Sequence, residues 1–164
     1  MKKLILVRHA KSSWKNPALS DFNRPLNKRG KRDAPYMGKK LREKGIKPEL
    51  IIASPAVRAK KTAFTIAEEI EYPRNKIIFD DSIYEASPSE LLEMIRHCNH
   101  QFNSIMIIGH NPGLTMLNNH LTNHYIDNIP ACGVVGIKFN SSWENVDLRT
   151  GKFLFFLYPK MNHK

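Results

Sequence analysis

Several things this 164-residue chain lacks narrow its reading at once. It has only two cysteines, Cys98 and Cys132, too few for a disulfide framework and not spaced as a C-x-x-C redox or zinc motif, so buried free thiols are expected. No run approaches the roughly 20 apolar residues of a membrane span, and no charged n-region leads into an apolar stretch ending in small residues. The expectation is a soluble, cytoplasmic protein with no membrane partner. No internal repeat or low-complexity linker divides the chain, and 41% hydrophobic residues suffice for one compact core, which predicts a single domain over 1–164. Acidic residues are scarce as well: 15 Asp and Glu against 26 Lys and Arg leave a net charge of +11, which favours anionic ligands, acidic protein surfaces or nucleic acid.

Nine of the cations fall between Lys28 and Lys47, in KRGKRDAPYMGKKLREKGIK. A solvated helix face accounts for such a run most simply, because Lys and Arg are the usual surface residues. A docking face for an acidic partner is the functional alternative. Nucleic-acid binding is disfavoured, since no aromatic-rich strand or reading motif accompanies the charge.

What is present alternates between strand and helix. Lys2 to Val7 is a short apolar run of strand length that ends in Arg8-His9. After a loop through Pro17 and Pro25, Asn27 or Asp33 caps a helix carrying Ala34, Met37 and Leu41 at helical spacing, with Pro35 starting or kinking it and Gly45 stopping it. Pro48 to Ala53 predicts a second strand, giving way at Ser54-Pro55 to a helix lined by Ala56, Ala63, Phe64, Ala67 and Ile70, with Arg58 in its first turn. Ile77 to Phe79 is a third short strand, and Ser87-Pro88-Ser89-Glu90 reads as a capping box ahead of Leu91, Leu92 and Ile95. Ser104 to Ile108 is a fourth strand, interrupted by Gly109-His110-Asn111-Pro112 before a helix around Leu114 to Leu121. Val134 to Phe139 and Phe153 to Tyr158 read as an antiparallel pair around the polar segment Asn140 to Gly151, and the region Ile126 to Lys164 carries no interpretable motif. This alternation predicts an α/β fold of three layers, a mainly parallel sheet with helices on both faces. Ligands collect beyond the carboxyl ends of such strands. Arg8-His9, Ser54 to Arg58, Tyr84-Glu85 and Gly109-His110 all follow predicted strands, so one shared cleft is expected.

Phosphoryl transfer needs cations around the equatorial oxygens and an attacking atom in line with the leaving group. Arginine's planar fork grips phosphate, and a neutral imidazole can attack phosphorus to form a covalent intermediate. Arg8, Arg58, His9 and His110 supply these groups. Taken alone, an Arg-His pair reads more readily as a hydrogen-bonded core histidine beside a surface cation. The ordered set LILVRHAKS, SPAVRAKKT and IMIIGHNPG, each joined to an apolar strand, alters that balance. Together they resemble the signatures of the histidine phosphatase superfamily, and DFNRPL at Asp21 to Leu26, followed by Asn27 to Gly30, is similar to the corresponding segment of the small SixA-type phosphohistidine phosphatases. The resemblance covers roughly Lys3 to Leu117.

That resemblance implies a phosphoglycerate mutase-like fold and a phosphatase that works without metal or other cofactor. His9 would be the nucleophile, Arg8, Arg24 and Arg58 would bind the phosphoryl oxygens, and His110 would donate a further hydrogen bond. Arginines beside His9 would also disfavour imidazolium and keep its attacking nitrogen unprotonated. Glu85 is the positional candidate for an acid that protonates a leaving oxygen, a plain loop carboxylate being the other reading. Ala10 stands where many members have Gly, and no long insertion follows the first motif, which implies an open site. The implied substrate is phosphohistidine on a protein, such as an acidic histidine-phosphotransfer or carrier domain, with phosphate as product. Small phosphomonoesters are the alternative substrates, and a noncatalytic anion- or nucleic-acid-binding protein is the alternative of another class. His120 with His124 and His97 with His100 are spaced for a metal, but HLTNH lacks the Glu of H-E-x-x-H and His97 falls near a helix C-terminus, so no metal site is expected.

Overall fold

A computed structural model describes residues 1–159. Residues 160–164, the end of the domain expected over 1–164, lie outside the described residues. The chain forms a six-stranded sheet in the order β3-β2-β4-β1-β5-β6. Its strands are β1 (Lys2–Arg8), β2 (Leu50–Ala53), β3 (Ile78–Phe79), β4 (Ser104–Gly109), β5 (Val134–Phe139) and β6 (Gly151–Leu157). The first four run parallel; β5 is antiparallel to β1, and β6 to β5. This is the mainly parallel α/β sheet that the alternating pattern predicts.

Four helices cover it: α1 (Lys28–Glu43), α2 (Val57–Glu69), α3 (Pro88–Arg96) and α4 (Gly113–Leu121). The two-residue period of a strand sorts β1 between two cores. Leu4 and Leu6 pack with Leu91 and Ile95 of α3 and Leu114 and Leu117 of α4. Ile5 and Val7 pack with Met37 and Leu41 of α1 and Ala63 and Ile66 of α2. Each of these Leu, Ile, Val and Met side chains, fully buried, contributes roughly 1.5–3 kcal/mol, so both faces of the sheet are fastened by comparable means.

Local chemistry sets the ends of the helices. Asn27, not Asp33, caps α1, its side chain accepting from the Gly30 N–H at 2.8 Å. Asp33 is instead buried within the helix, beside Arg29 and Arg32. Pro35 also sits inside α1 rather than at its start. The capping box at Ser87 and Glu90 forms as expected. β2 begins at Leu50 rather than Pro48, and β6 at Gly151 rather than Phe153. The polar connection before β6 buries Trp143 and Val146 against the α3/α4 face, with the Trp143 Nε1–H donating to the Phe102 carbonyl at 2.7 Å. Both cysteines are free, but only Cys132 is buried; Cys98, close behind the short helix α3, is half-buried. Among the described residues no helix is long and apolar enough to cross a membrane.

Candidate active site

The carboxyl ends of β1, β2 and β4 open into a cleft of about 330 Å³, near the lower end of the volumes usual for small-ligand sites. Arg8, His9, Arg24, Arg58, Glu85 and His110 all line it. The six residues singled out in the sequence are therefore brought to one place.

His9 is 8% exposed, where β1 ends. Its Nδ1 donates to the Ala10 carbonyl at 2.7 Å, and its Nε2 receives the Arg58 Nε–H at 3.3 Å. These contacts are mutually consistent in one tautomer, with the proton on Nδ1 and a lone pair on Nε2. Burial pushes the imidazole down to about 3, reinforced by the neighbouring His110, Arg58 and Arg8 and opposed by the Ala10 hydrogen bond. The Ala10 N–H donates to Thr62 Oγ1 at 3.0 Å, and the same hydroxyl donates to the Arg58 carbonyl at 2.8 Å. Thr62, buried in α2, thus ties the turn after β1 to the helix that carries Arg58.

His110 lies 5.1 Å from His9 between ring centroids, and burial, then Arg58, lowers its pKa to about 4. Its Nε2 is 2.7 Å from Ser54 Oγ, which also accepts the Ala56 N–H at 3.2 Å. A serine that accepts from Ala56 and donates to Nε2 leaves the ring proton on Nδ1. That Nδ1 is buried and has no hydrogen-bond partner among the described residues, and the same holds for Arg8 Nε. Arg8 is anchored by Nη1, which donates to the Ile129 carbonyl at 2.8 Å. Asn111 donates to that carbonyl too, at 2.8 Å, and accepts from Thr115 of α4.

The sequence reading missed Asp21, where the remaining groups converge. Its Oδ1 accepts from Arg24 Nη2 at 2.9 Å; its Oδ2 accepts from Arg58 Nη2 at 3.0 Å and from the Tyr84 hydroxyl at 2.5 Å. The Asp21 carbonyl takes Arg58 Nη1 at 2.6 Å. Tyr84, Arg24 and Arg58 hold the Asp21 carboxyl well below the usual carboxylate range, while the bond to Asp21 pushes the Tyr84 phenol up to about 12. The available signal was the D-x-x-R spacing of Asp21 and Arg24, which places both on one short 3-10 turn (Asp21–Asn23) and its cap. Arg24 is also bonded to Ser12 at 2.6 Å and stacks 3.6 Å from the ring centre of Trp14, an exposed aromatic at the rim.

Glu85 is exposed at the rim, on a left-handed residue with φ of 59°. Three of the four histidines spaced for a metal have other neighbours. His97 Nδ1 meets the Glu93 carbonyl at 2.8 Å, His120 Nε2 lies 3.6 Å from Asp147, and His124 stacks on Phe153 at 3.7 Å. Among the described residues no group of three or more His, Cys, Asp and Glu is arranged to hold a metal ion.

Comparison with known proteins sets this site in context. Residues 4–104 match the family described as the histidine phosphatase superfamily (branch 1). An uncharacterized chloroplastic protein of Arabidopsis thaliana is 30% identical over 159 residues, 92% of this chain and 72% of that one. The fold is similar to that of a putative phosphohistidine phosphatase SixA from Agrobacterium tumefaciens, with a TM-score of 0.79 at 24% identity, covering 96% of this chain and 98% of the other. It is similar as well to a protein histidine phosphatase SixA complexed with tungstate, with a TM-score of 0.84 at 18% identity, over 97% and 98% of the two chains.

Proposed function

Since the chain belongs to the histidine phosphatase superfamily and is a phosphatase of that group, we propose that it hydrolyses phosphohistidine on a protein, carrying the phosphoryl group on His9 without a metal. The observation that carries this reading is the state of His9: buried, neutral, with Nδ1 tied to Ala10 and a lone pair on Nε2 inside a cationic cleft. Nε2 attacks phosphorus, the bond to the substrate nitrogen breaks, and its electron pair leaves with the substrate imidazole. Water then attacks the phosphorylated His9; the P–N bond breaks, phosphate is released, and the proton water sheds ends on Nε2 or on phosphate. Arg8 and Arg58 neutralise the charge on the equatorial oxygens, Arg24 adds to the positive wall, and the unpartnered N–H groups of His110 and Arg8 supply donors. A buried donor without a partner costs roughly 1–3 kcal/mol, and a bound phosphoryl oxygen removes that cost.

SixA-type neighbours and the small open cleft support a phosphorylated side chain on an acidic phosphotransfer or carrier domain as the substrate. The position of Glu85 on the rim favours a second reading, small phosphomonoesters with Glu85 as the acid.

Phosphate release from a phosphohistidine-bearing carrier and from an aryl phosphate, with chelator present, tests both. Carrier turnover that survives chelation and disappears in His9→Ala is the expected result. Turnover of the aryl phosphate alone would transfer the assignment to esters, with Glu85→Gln then selectively lowering hydrolysis of alkyl esters, whose alkoxide needs the donated proton, and binding without release from either would return the noncatalytic reading.

A further inference from the structure

Resting on the phosphohistidine reading, we propose that Asp21 is the residue that receives the leaving group: its carboxylate accepts a hydrogen bond from the protonated distal ring nitrogen of the substrate's phosphoimidazole, which makes the site selective for P–N over P–O bonds.

Placement comes first. His9 is 8% exposed on the cleft floor, whereas the Asp21 side chain is 47% exposed at its mouth. Arg58 joins the two, its Nε on His9 Nε2 and its Nη2 on Asp21 Oδ2. In-line attack by Nε2 sends the leaving group away from the floor, toward the side where Asp21 stands. Unlike Glu85, Asp21 is fixed by donors from three separate segments: Arg24, Arg58 of α2, and Tyr84 after β3.

Occupancy comes next. Oδ2 already takes two donors, Arg58 Nη2 and the Tyr84 hydroxyl. A phosphoryl group that draws Arg58 onto its oxygens vacates one acceptor position on Oδ2. The substrate ring's N–H then takes it, so binding of phosphate and capture of the ring are one exchange.

The chemistry balances without a proton from the enzyme. Protonation at its distal nitrogen makes the ring of a phosphoimidazole an imidazolium cation attached to the anionic phosphoryl group. When His9 Nε2 bonds to phosphorus and the P–N bond breaks, the bond's electron pair stays on the ring, which departs as neutral imidazole and keeps its proton. A carboxylate beside that N–H favours the cation, hence the reactive form of the substrate. An alkyl ester oxygen leaves as an alkoxide and needs a donated proton, which a carboxyl held ionised by Tyr84 and two arginines does not provide; an aryl phosphate leaves as a phenolate and reports the alignment of the arginines alone.

The test compares wild type, Asp21→Asn and Tyr84→Phe on a phosphohistidine peptide and on p-nitrophenyl phosphate, with thermal melts to show that each variant folds. Loss of arginine alignment lowers both activities of Asp21→Asn, by about threefold on the aryl phosphate; loss of the charged acceptor lowers peptide turnover by about a hundredfold. In wild type, kcat on the peptide falls as rising pH deprotonates the bound ring. That fall moves about one pH unit lower in Asp21→Asn, and upward in Tyr84→Phe, where the carboxylate loses a competing donor. Equal losses on the two substrates, or a pH limb that moves in neither variant, would leave Asp21 as an aligner of arginines and overturn the proposal. Wild type that does not turn over the peptide would overturn the phosphohistidine reading itself, and this inference with it.

Discussion

At the residue scale, the two histidines of the cleft make the fold acid-sensitive. An imidazole titrates near 6.5 in an unfolded chain, while burial lowers His9 to about 3 and His110 to about 4. Between those values the unfolded chain binds more protons than the folded one, so stability rises with pH and is lost as pH falls below about 6.5. At pH 5 each histidine removes about 2 kcal/mol of the stability present at neutral pH, because about 1.5 pH units separate that pH from the unfolded value. Asp21, lowered from its ordinary value, adds a further loss in stronger acid. Melts from pH 7 to pH 5 therefore show a falling Tm in wild type and a flatter profile in His9→Gln with His110→Gln; parallel profiles would show that these rings do not govern it. His9, Arg8, Arg58 and His110 were legible in the sequence because each stands just behind a short apolar run that reads as a buried strand. Asp21 was not. No strand precedes it, and its partners Arg24, Arg58 and Tyr84 stand 3, 37 and 63 positions away, a convergence that only the folded chain displays.

At the scale of the element, two helix starts press directly on the loops that form the cleft. A Cβ on Gly30 in the first turn of α1 would lie 2.1 Å from the Lys11 carbonyl oxygen, and one on Gly113 at the start of α4 would lie 2.3 Å from that of Ala86. Both obstacles are backbone, so a side chain must move the loop or the helix. Lys11 and Ser12 line the cleft, and Ser12 holds Arg24. Gly30→Ala should therefore destabilise the fold by about 1–3 kcal/mol despite alanine's better helix propensity, and lower turnover as well. Leu41→Val, in the distal turn of the same helix, should lower stability by about 1 kcal/mol and spare turnover. Unchanged activity in a destabilised Gly30→Ala protein would disconnect α1 from the site. Among the described residues, apolar periodicity located the four helices, each with a buried face against one side of the sheet, and short apolar runs located the six strands. The pattern erred at ends, where tertiary contacts decide: β2 starts at Leu50 rather than Pro48, and β6 starts at Gly151 because that residue pairs with Phe139 of β5. Of the two candidate caps of α1, Asn27 forms the cap while Asp33 turns inward. The segment before β6 reads as polar, yet it inserts Trp143 beneath α3, a long-range contact with no local pattern.

At the scale of the whole molecule, the distribution of the +11 net charge decides where a protein substrate can be guided. The helix α1 begins at the cleft, its Asn27 cap donating its N–H to the Lys11 carbonyl, and ends near Ile46 and Lys47, where Lys47 meets Ser104 at the amino end of β4, opposite the cleft. Sixteen residues of helix span about 24 Å, more than twice the Debye length of about 8 Å at physiological ionic strength. Lys28 and Lys31 are exposed at the cleft end, next to Lys11. At the far end, Lys40 lies over Tyr36 and near Glu43, Arg42 meets Glu69, and Lys44 lies over Phe155. The run that looks uniform in sequence is thus divided into cations beside the site and cations screened from it. If an acidic carrier docks by charge, Lys28→Glu with Lys31→Glu should lower kcat/KM for that carrier by about tenfold at low salt, with the difference closing as salt rises. The new acids lie in the first turn of α1, where the helix dipole favours them, so the fold is not put at risk. Lys39→Glu with Lys40→Glu and Arg42→Glu should have a much smaller effect, and neither set should alter turnover of an aryl phosphate. Equal losses from the two ends would show that net charge alone attracts the carrier; no loss from either would remove α1 from docking and leave recognition to the cleft rim around Trp14 and Asp21.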